Sequence, residues 1–216
     1  MLLFAANNFL GEKMINFAEE NGVEVFVVDL KKYCSDKLKQ QCGKNYFLID
    51  SADEESVKKL SSVLAERNIN LDFIVFNNYL ERLRNTGRKA EIEFSASEWD
   101  KLLEEWLLNT YLIFKYLYPF LNKESKSRVI YLNSGRGYTG QNSIESGGNI
   151  IEAGLSGALL GVMTSTAREI IPEGVSVNGI ALDNNFKEKW PKIRWVMRLW
   201  MSGIAEYSCA ETIMIS

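Results

Sequence analysis

Short apolar runs alternate with segments of helical period along most of the chain. The first run, residues 2–6, precedes apolar positions at 10, 14, 15, 17 and 18, which recur with the period of an amphipathic helix. Residues 23–30 form a second run, rich in valine and largely apolar, as in a strand buried on both faces. The start of the chain therefore predicts a strand, a turn, a helix and a second strand.

The same alternation continues to the end of the chain. Further strands are predicted at 46–50, 71–78, 127–134, 175–182 and 211–216. Helices are predicted at 10–21, 53–68, 95–121 and 149–171, followed by a tryptophan-rich segment at 186–201. Strands that alternate with helices predict an α/β fold, a Rossmann-like doubly wound parallel sheet of about seven strands with helices on both faces. We expect one domain, residues 1–216.

Composition narrows the classes of function. Apolar residues make up 46% of the chain, and the net charge of −3 comes from interspersed acids and bases, which argues against nucleic-acid binding. No apolar run reaches the roughly 18 residues of a membrane helix, so we expect no membrane contact. Cys34, Cys42 and Cys209 lack the spacing of a disulfide or zinc framework, which indicates free thiols and a cytoplasmic protein. The chain has no histidine, the commonest general base and metal ligand, and we expect no metal site.

The order and spacing of these segments resemble the short-chain dehydrogenase/reductase family over nearly the whole chain. IEFSASEWDKLLEEWLLNTYLIFKYLYPFL (92–121) is similar to the family's central helix, and RVIYLNS (128–134) to the strand that carries its catalytic serine. GALLGVMTSTAREIIPEGVSVNGIAL (157–182) is similar to the following helix and strand, and LWMSGIAEYSCAETIMIS (199–216) to the closing strand. The resemblance implies a Rossmann-like fold and, in intact members, NAD- or NADP-dependent oxidoreduction.

The turn after the first strand departs from the family's pattern. The family's Thr-Gly-x-x-x-Gly-x-Gly falls on residues 4–11, where Gly11 is the one glycine that remains. A benzyl side chain at Phe9 would stand where the backbone must approach a diphosphate. Gly11 alone is explained by close packing of the helix on the strand. We therefore predict that the chain takes no cofactor, with NAD or NADP expected only if the chain is an active oxidoreductase.

Three other cofactor positions match the family in residue type. Asp29 ends the second strand, where an acid binds ribose, but it also suits a plain strand-end or turn aspartate. Asp50 aligns with an adenine-contacting aspartate and is equally suited to cap the next helix. Asn77 matches the start of Asn-Asn-Ala-Gly, but Tyr79 and Leu80 add bulk after it. The relic cofactor positions are Gly11, Asp29, Asp50 and Asn77.

The catalytic pair is also replaced. The family uses Tyr-x-x-x-Lys, in which the lysine lowers the tyrosine pKa so that the phenol exchanges a proton near neutral pH. The alignment places Glu152 at the tyrosine and Ser156 at the lysine. Asn109 and Ser134 match the family's active-site asparagine and serine, although Asn109 also suits a bond to strand backbone and Ser134 a strand end. We expect no catalysis from the relic positions Asn109, Ser134, Glu152 and Ser156.

The segment after the sixth strand is shorter than the family's substrate loop. Leu182 and Asp183 replace the family's Pro-Gly, and about fifteen residues near 183–198 stand in place of a mobile lid. A substrate cover of the usual size cannot be built from so few residues.

An intact core with an altered site favours a function that lies on the surface. Family members pair through two helices that correspond here to 97–121 and 149–171. The first has more aromatic and leucine side chains than one buried face requires, and the second has small residues that let a partner helix approach, although both sets also suit packing on the chain's own sheet. The leading hypothesis is a non-catalytic subunit, a pseudoenzyme, that pairs with an active family homologue or with itself and supports assembly or the substrate site.

Two alternatives stay open. The chain is a divergent NAD(P)-dependent oxidoreductase or another enzyme with a rearranged site, in which a buried Glu152 is the base and Ser134 and Asn109 orient the substrate. Alternatively, it is a regulatory protein whose relic crevice binds a small molecule other than a dinucleotide.

Overall fold

Seven parallel strands form one sheet at the centre of the molecule. The computed structural model describes residues 1–78, 94–124, 127–135, 150–182, 186–202 and 209–215. The strands are Leu2–Phe4 (β1), Phe26–Leu30 (β2), Tyr46–Ile49 (β3), Phe73–Asn77 (β4), Arg128–Ser134 (β5), Ser176–Leu182 (β6) and Thr212–Ile215 (β7). Their order is β3-β2-β1-β4-β5-β6-β7, and all pairs are parallel. The predicted strand count and fold class are confirmed.

Helices cover both faces of this sheet. They are Phe9–Glu20 (α1), Asp36–Cys42 (α2), Glu54–Glu66 (α3), Ala96–Leu102 (α4), Asn109–Leu117 (α5), Ile150–Ile170 (α6) and Trp190–Met201 (α7). One apolar core lies under α3, α5 and α6, and includes Phe4, Phe76 and Tyr131. The other lies under α1 and α7, and includes Leu3 and Val75. Neighbouring residues of β1 and β4 point to opposite cores, so these strands are apolar on both faces.

The central helix has an irregular middle. Ser95 caps α4 in a capping box with Glu98, as the serines of the sequence indicate. Residues Leu103–Leu108 then form a π-helix that joins α4 to α5. The wider π turn changes which side chains face inward, and it buries Glu105 together with Trp106. The 3.6-residue period does not predict this change of face.

Helix α6 is long and apolar enough to cross a membrane by length and composition alone, over Ile150–Glu173. Its buried side chains, which include Leu155, Leu159 and Met163, pack on the protein's own core. The helix also lies against β5 and β6. A long apolar helix that packs on a sheet is typical of a protein core.

The segment predicted as a short substrate loop, 183–198, is mostly helical. Residues 186–189 form a turn, and α7 begins at Trp190. The turn brings the buried side chain of Phe186 back onto the start of α1. The segment after β6 therefore contacts the first residue of α1.

Candidate active site

The polar residues named from the sequence gather at the carboxyl ends of the strands. The strand order reverses at β1, which lies between β2 and β4. In open parallel sheets a ligand binds in the crevice beside such a reversal, outside the carboxyl ends of the strands. The carboxyl ends of β1, β2 and β4 border this crevice.

The turn after β1 keeps the backbone shape that a glycine-rich turn supplies. Ala5, at the place of the first glycine, has a φ of 59°, a left-handed conformation that glycine adopts most readily. A Cβ atom on Gly11 would lie 1.9 Å from the carbonyl oxygen of Ala6, so this position requires glycine. Asn8 caps α1, and its Oδ1 accepts a hydrogen bond from the Gly11 amide at 2.9 Å. The turn therefore has a left-handed residue at position 5 and a closely packed glycine at position 11, although the first two glycines are replaced.

Phe9 covers the first turn of α1. Its ring packs edge-on against Phe186, with centroids 5.9 Å apart. The ammonium groups of Lys13 and Lys187 lie 5.6 and 5.5 Å from the centroid of the Phe9 ring. An aromatic pair bordered by two cations therefore stands where a helix N-terminus would receive a diphosphate.

The Asp29 carboxylate is buried between Tyr46 and the turn after β1. It is the fourth residue of β2 and is buried. One carboxylate oxygen accepts from the Tyr46 hydroxyl at 3.1 Å, and the other from the Asn7 amide at 3.4 Å. Burial, and then the nearby carboxylate, raise the pKa of Tyr46 well above its ordinary value, so the phenol stays a donor. Asp29 is thus a buried residue one position before the end of β2, and its carboxylate binds the turn after β1.

Asp50 does not cap a helix. Asp53 caps α3 instead, and its carboxylate accepts from the amides of Glu55 and Ser56. The Asp50 carboxylate forms an ion pair with Lys31 at 2.6 Å, half exposed to solvent. This pair lies in a cleft of about 230 Å³ between β3 and α3.

Asn77 joins the turn after β1 to the end of β4. Its Nδ2 donates to the Ala5 carbonyl and to Asn8 Oδ1, both at 2.9 Å. The next side chain, Asn78, accepts from the Thr110 hydroxyl at 3.3 Å. Among the described residues, Asn77 Oδ1 and Asn78 Nδ2 are buried without a hydrogen-bond partner. Unsatisfied buried amide atoms beside a crevice suit a polar ligand. Tyr79 and Leu80 lie outside the described residues.

A polar bridge that sequence reasoning missed crosses the crevice beside β2. The buried Glu105 carboxylate accepts from the Tyr33 hydroxyl at 2.9 Å through Oε2 and forms an ion pair with Lys32 through Oε1. The Tyr33 carbonyl accepts from Asn7 Nδ2 at 2.7 Å. We call Lys32, Tyr33 and Glu105 the clasp. The one available signal was an acid four residues before Asn109, and it does not stand out in a helix that also carries Glu104 beside it.

Asn109 bonds to a turn and not to strand backbone. Its Oδ1 accepts from the Ala52 amide at 2.9 Å, while its Nδ2 donates to Ser51 Oγ at 3.3 Å and to the Glu105 carbonyl at 3.1 Å. Ala52 has a φ of 55°, and the bond to Asn109 supports that left-handed turn. The side chain fixes the central helix to the carboxyl end of β3.

The three other relic catalytic positions are buried. Ser134 is the last residue of β5, as its strand-end role requires, and lies opposite Leu182 of β6. Glu152 and Ser156 lie one turn apart on the buried side of α6. Ser156 Oγ has no hydrogen-bond partner among the described residues. A neutral hydroxyl at this place cannot lower the pKa of its neighbour as a lysine does.

A larger cleft lies away from all of these residues. It measures about 490 Å³, between α7 and β7. Its lining includes Trp195 and Met214, of which Trp195 is 64% exposed. Among the described residues, no group of three His, Cys, Asp or Glu side chains is placed to hold a metal ion.

The parallel sheet, its order and the polar residues at the strand ends define a Rossmann-type α/β protein. Residues 5–183 match the family model described as enoyl-(acyl carrier protein) reductase. The chain belongs to the short-chain dehydrogenase/reductase family of oxidoreductases.

Solved structures of the same fold cover almost the whole chain. A glucose/ribitol dehydrogenase of this family from Brucella melitensis is 20% identical, with a TM-score of 0.74 over 99% of this chain and 93% of that one. A 3-ketoacyl-(acyl-carrier-protein) reductase from Brucella melitensis, complexed with NADH, is 16% identical, with a TM-score of 0.75 over 99% and 95%. A Leptospira borgpetersenii dehydrogenase with bound NAD⁺ is 14% identical, with a TM-score of 0.79 over 100% and 90%.

These comparisons contradict the prediction that no cofactor is expected. Structures that share the fold are complexes with NADH and NAD⁺, and the matched family is one of reductases. The prediction rested on the lost glycines and on the benzyl side chain of Phe9. The glycine count was misleading because an alanine can adopt the left-handed conformation at moderate cost, so Ala5 has the φ that the first glycine would supply, and Gly11 is retained.

Proposed function

We propose that this chain is a non-catalytic subunit of a short-chain dehydrogenase/reductase, which pairs with an active homologue and supports its assembly or substrate site. The observation that carries the proposal is the buried Glu152 and Ser156, one helical turn apart, at the positions of the family's tyrosine and lysine. In the family the lysine lowers the pKa of the group that exchanges the proton. Because Ser156 carries no positive charge, it cannot have that effect on the group at position 152. We place the protein in the cytoplasm, where its free thiols suit a reducing environment.

The pairing surface in this proposal consists of the helices 97–121 and 149–171. Leu108 and Tyr111 of the central helix are 38% and 51% exposed. On α6, a Cβ atom added to Gly157 or Gly161 would meet no atom of the described residues within 4 Å. Exposed apolar side chains on the central helix, together with glycines on α6 that have no side chain, allow a second pair of helices to approach closely.

A nicotinamide dinucleotide belongs to the same proposal. Two observations support nucleotide binding in the crevice. The turn after β1 retains a left-handed residue at Ala5 and a closely packed Gly11, and the buried side-chain amides of Asn77 and Asn78 each have an atom without a hydrogen-bond partner among the described residues. The first backbone amides of α1 would hold the diphosphate once the Phe9 side chain moves aside. When bound, such a cofactor supplies hydride chemistry, whereas this chain would bind and orient it.

The test is co-expression with an intact family homologue encoded in the same genome. We expect the two chains to co-purify at a fixed ratio, with activity that depends on the homologue's tyrosine and not on Glu152 of this chain. A stable monomer that never co-purifies with any such homologue would contradict the proposal.

A second candidate is an oxidoreductase with rearranged chemistry. The observation that favours it is a carboxyl group, Glu152, buried on α6 in the position of the family's proton donor. If it is the acid or base, the chain alone turns over a substrate with NADH or NADPH, and Glu152→Gln abolishes that turnover while the variant still folds. Turnover that survives Glu152→Gln would remove this candidate.

A further inference from the structure

The chain's own side chains bridge the crevice at the end where the adenosine half of a dinucleotide lies in this fold. The segment Lys31–Tyr33 begins directly after β2, beside which the adenosine ribose is bound in dinucleotide folds. Glu105 belongs to a helix that Asn109 fixes to the turn after β3. The clasp therefore runs from the carboxyl end of β2 to the central helix.

The clasp is a satisfied ionic group. Both oxygens of the buried Glu105 carboxylate are used, one by the Tyr33 hydroxyl and the other by Lys32. The Lys32 ammonium also lies 4.7 Å from the centroid of the Tyr33 ring. Because a buried carboxylate without partners is strongly disfavoured, these bonds hold the segment after β2 against the central helix.

The clasp is coupled to the turn after β1. Asn7 of that turn donates to the Tyr33 carbonyl at 2.7 Å, and its backbone amide donates to Asp29. The turn that would receive a diphosphate and the segment that borders the adenosine are thus fixed together by one side chain. The aromatic pair Phe9 and Phe186 covers the first turn of α1 next to them.

We propose that the clasp is an internal competitor of the nucleotide: Lys32 and Tyr33, held by Glu105, close the adenosine end of the crevice, and a nicotinamide dinucleotide binds only when the bonds to Glu105 break. This inference rests on the nucleotide-binding part of the proposed function. It predicts weak binding by the wild-type chain and tighter binding when the clasp is removed.

The experiment measures the dissociation constants of NAD⁺, NADH, NADP⁺ and NADPH by calorimetry, and by energy transfer from tryptophan to the reduced nucleotides. The variants are Tyr33→Phe, which removes only the hydroxyl, and Glu105→Ala. We expect both to bind at least one of the four nucleotides about tenfold more tightly than wild type, which is about 1.4 kcal/mol. Tyr33→Phe keeps the test valid if Glu105→Ala does not fold.

The chain offers a matched control. Glu54 accepts from the Tyr116 hydroxyl and from Lys115, the same chemistry as the clasp but on the exposed surface between α3 and α5. Tyr116→Phe and Glu54→Ala should leave every dissociation constant within twofold of wild type. A general loosening of the protein would move both sets alike, and that result would overturn the proposal.

Three other results would also overturn it: Tyr33→Phe within twofold of wild type, no detectable nucleotide binding by wild type or any clasp variant, or a nucleotide complex in which the hydrogen bond from Tyr33 to Glu105 is intact. Co-purification of the same variants with the homologue separates the two proposals. Pairing without tighter nucleotide binding removes only the clasp inference, and tighter binding without pairing removes only the subunit.

Discussion

Gly157→Leu should stabilise the isolated chain while it abolishes pairing. Gly157 lies inside α6, and a Cβ atom there would meet no atom of the described residues within 4 Å, so the first atom of a larger side chain fits without a clash. Glycine in a helix interior costs roughly 0.8–1.0 kcal/mol relative to alanine, and leucine is nearly as favourable as alanine. For a protein of this size, that gain raises the melting temperature by about 2–4 °C.

The same leucine would stand in the path of a partner helix. Thermal melting of the isolated chain and light scattering of the co-expressed pair measure the two effects separately. The control is Ser62→Leu, which places an identical side chain on an exposed position of α3, outside the proposed surface. It should leave pairing unchanged.

Two results would refute this reasoning. A lower melting temperature for Gly157→Leu would mean that the glycine packs against something in the isolated chain. A complex that assembles normally with Gly157→Leu would show that this stripe of α6 is not the interface.

The remaining predictions concern stability. Gly11→Ala should destabilise the protein by about 1–3 kcal/mol in urea unfolding, because its Cβ would lie 1.9 Å from a backbone oxygen of the preceding turn; an unchanged midpoint would contradict the close approach. Hydrogen bonds from Lys115 and Tyr116 lower the pKa of Glu54 to about 2. Its contribution to stability is therefore present above its ordinary pKa of 4.5 and is lost as the pH falls toward 2. Glu54→Gln should remove that part of the acid dependence of unfolding, and an identical pH profile for the variant would count against it.

The alternation of apolar runs with helical segments was sufficient to predict the sheet. All seven strands lie within the segments predicted for them, and the largest discrepancy at a strand start is three residues, at β2. Burial on both faces makes such strands continuously apolar, which the sequence displays directly. Helix α2 was not predicted because Leu38 is its one buried residue, too little for a period to emerge.

The sequence by itself determined which chemical groups stand at each position of the family's site: Phe9 and Gly11 in the turn, Glu152 and Ser156 on the helix. The tertiary structure alone decided what those groups and their neighbours contact. In the folded chain Asp29 accepts a hydrogen bond from Tyr46, and Glu105 accepts one from Tyr33, which lies 72 residues away in the sequence. Such contacts follow from how helices and strands pack in three dimensions, and a periodicity of two or 3.6 residues carries no information about them.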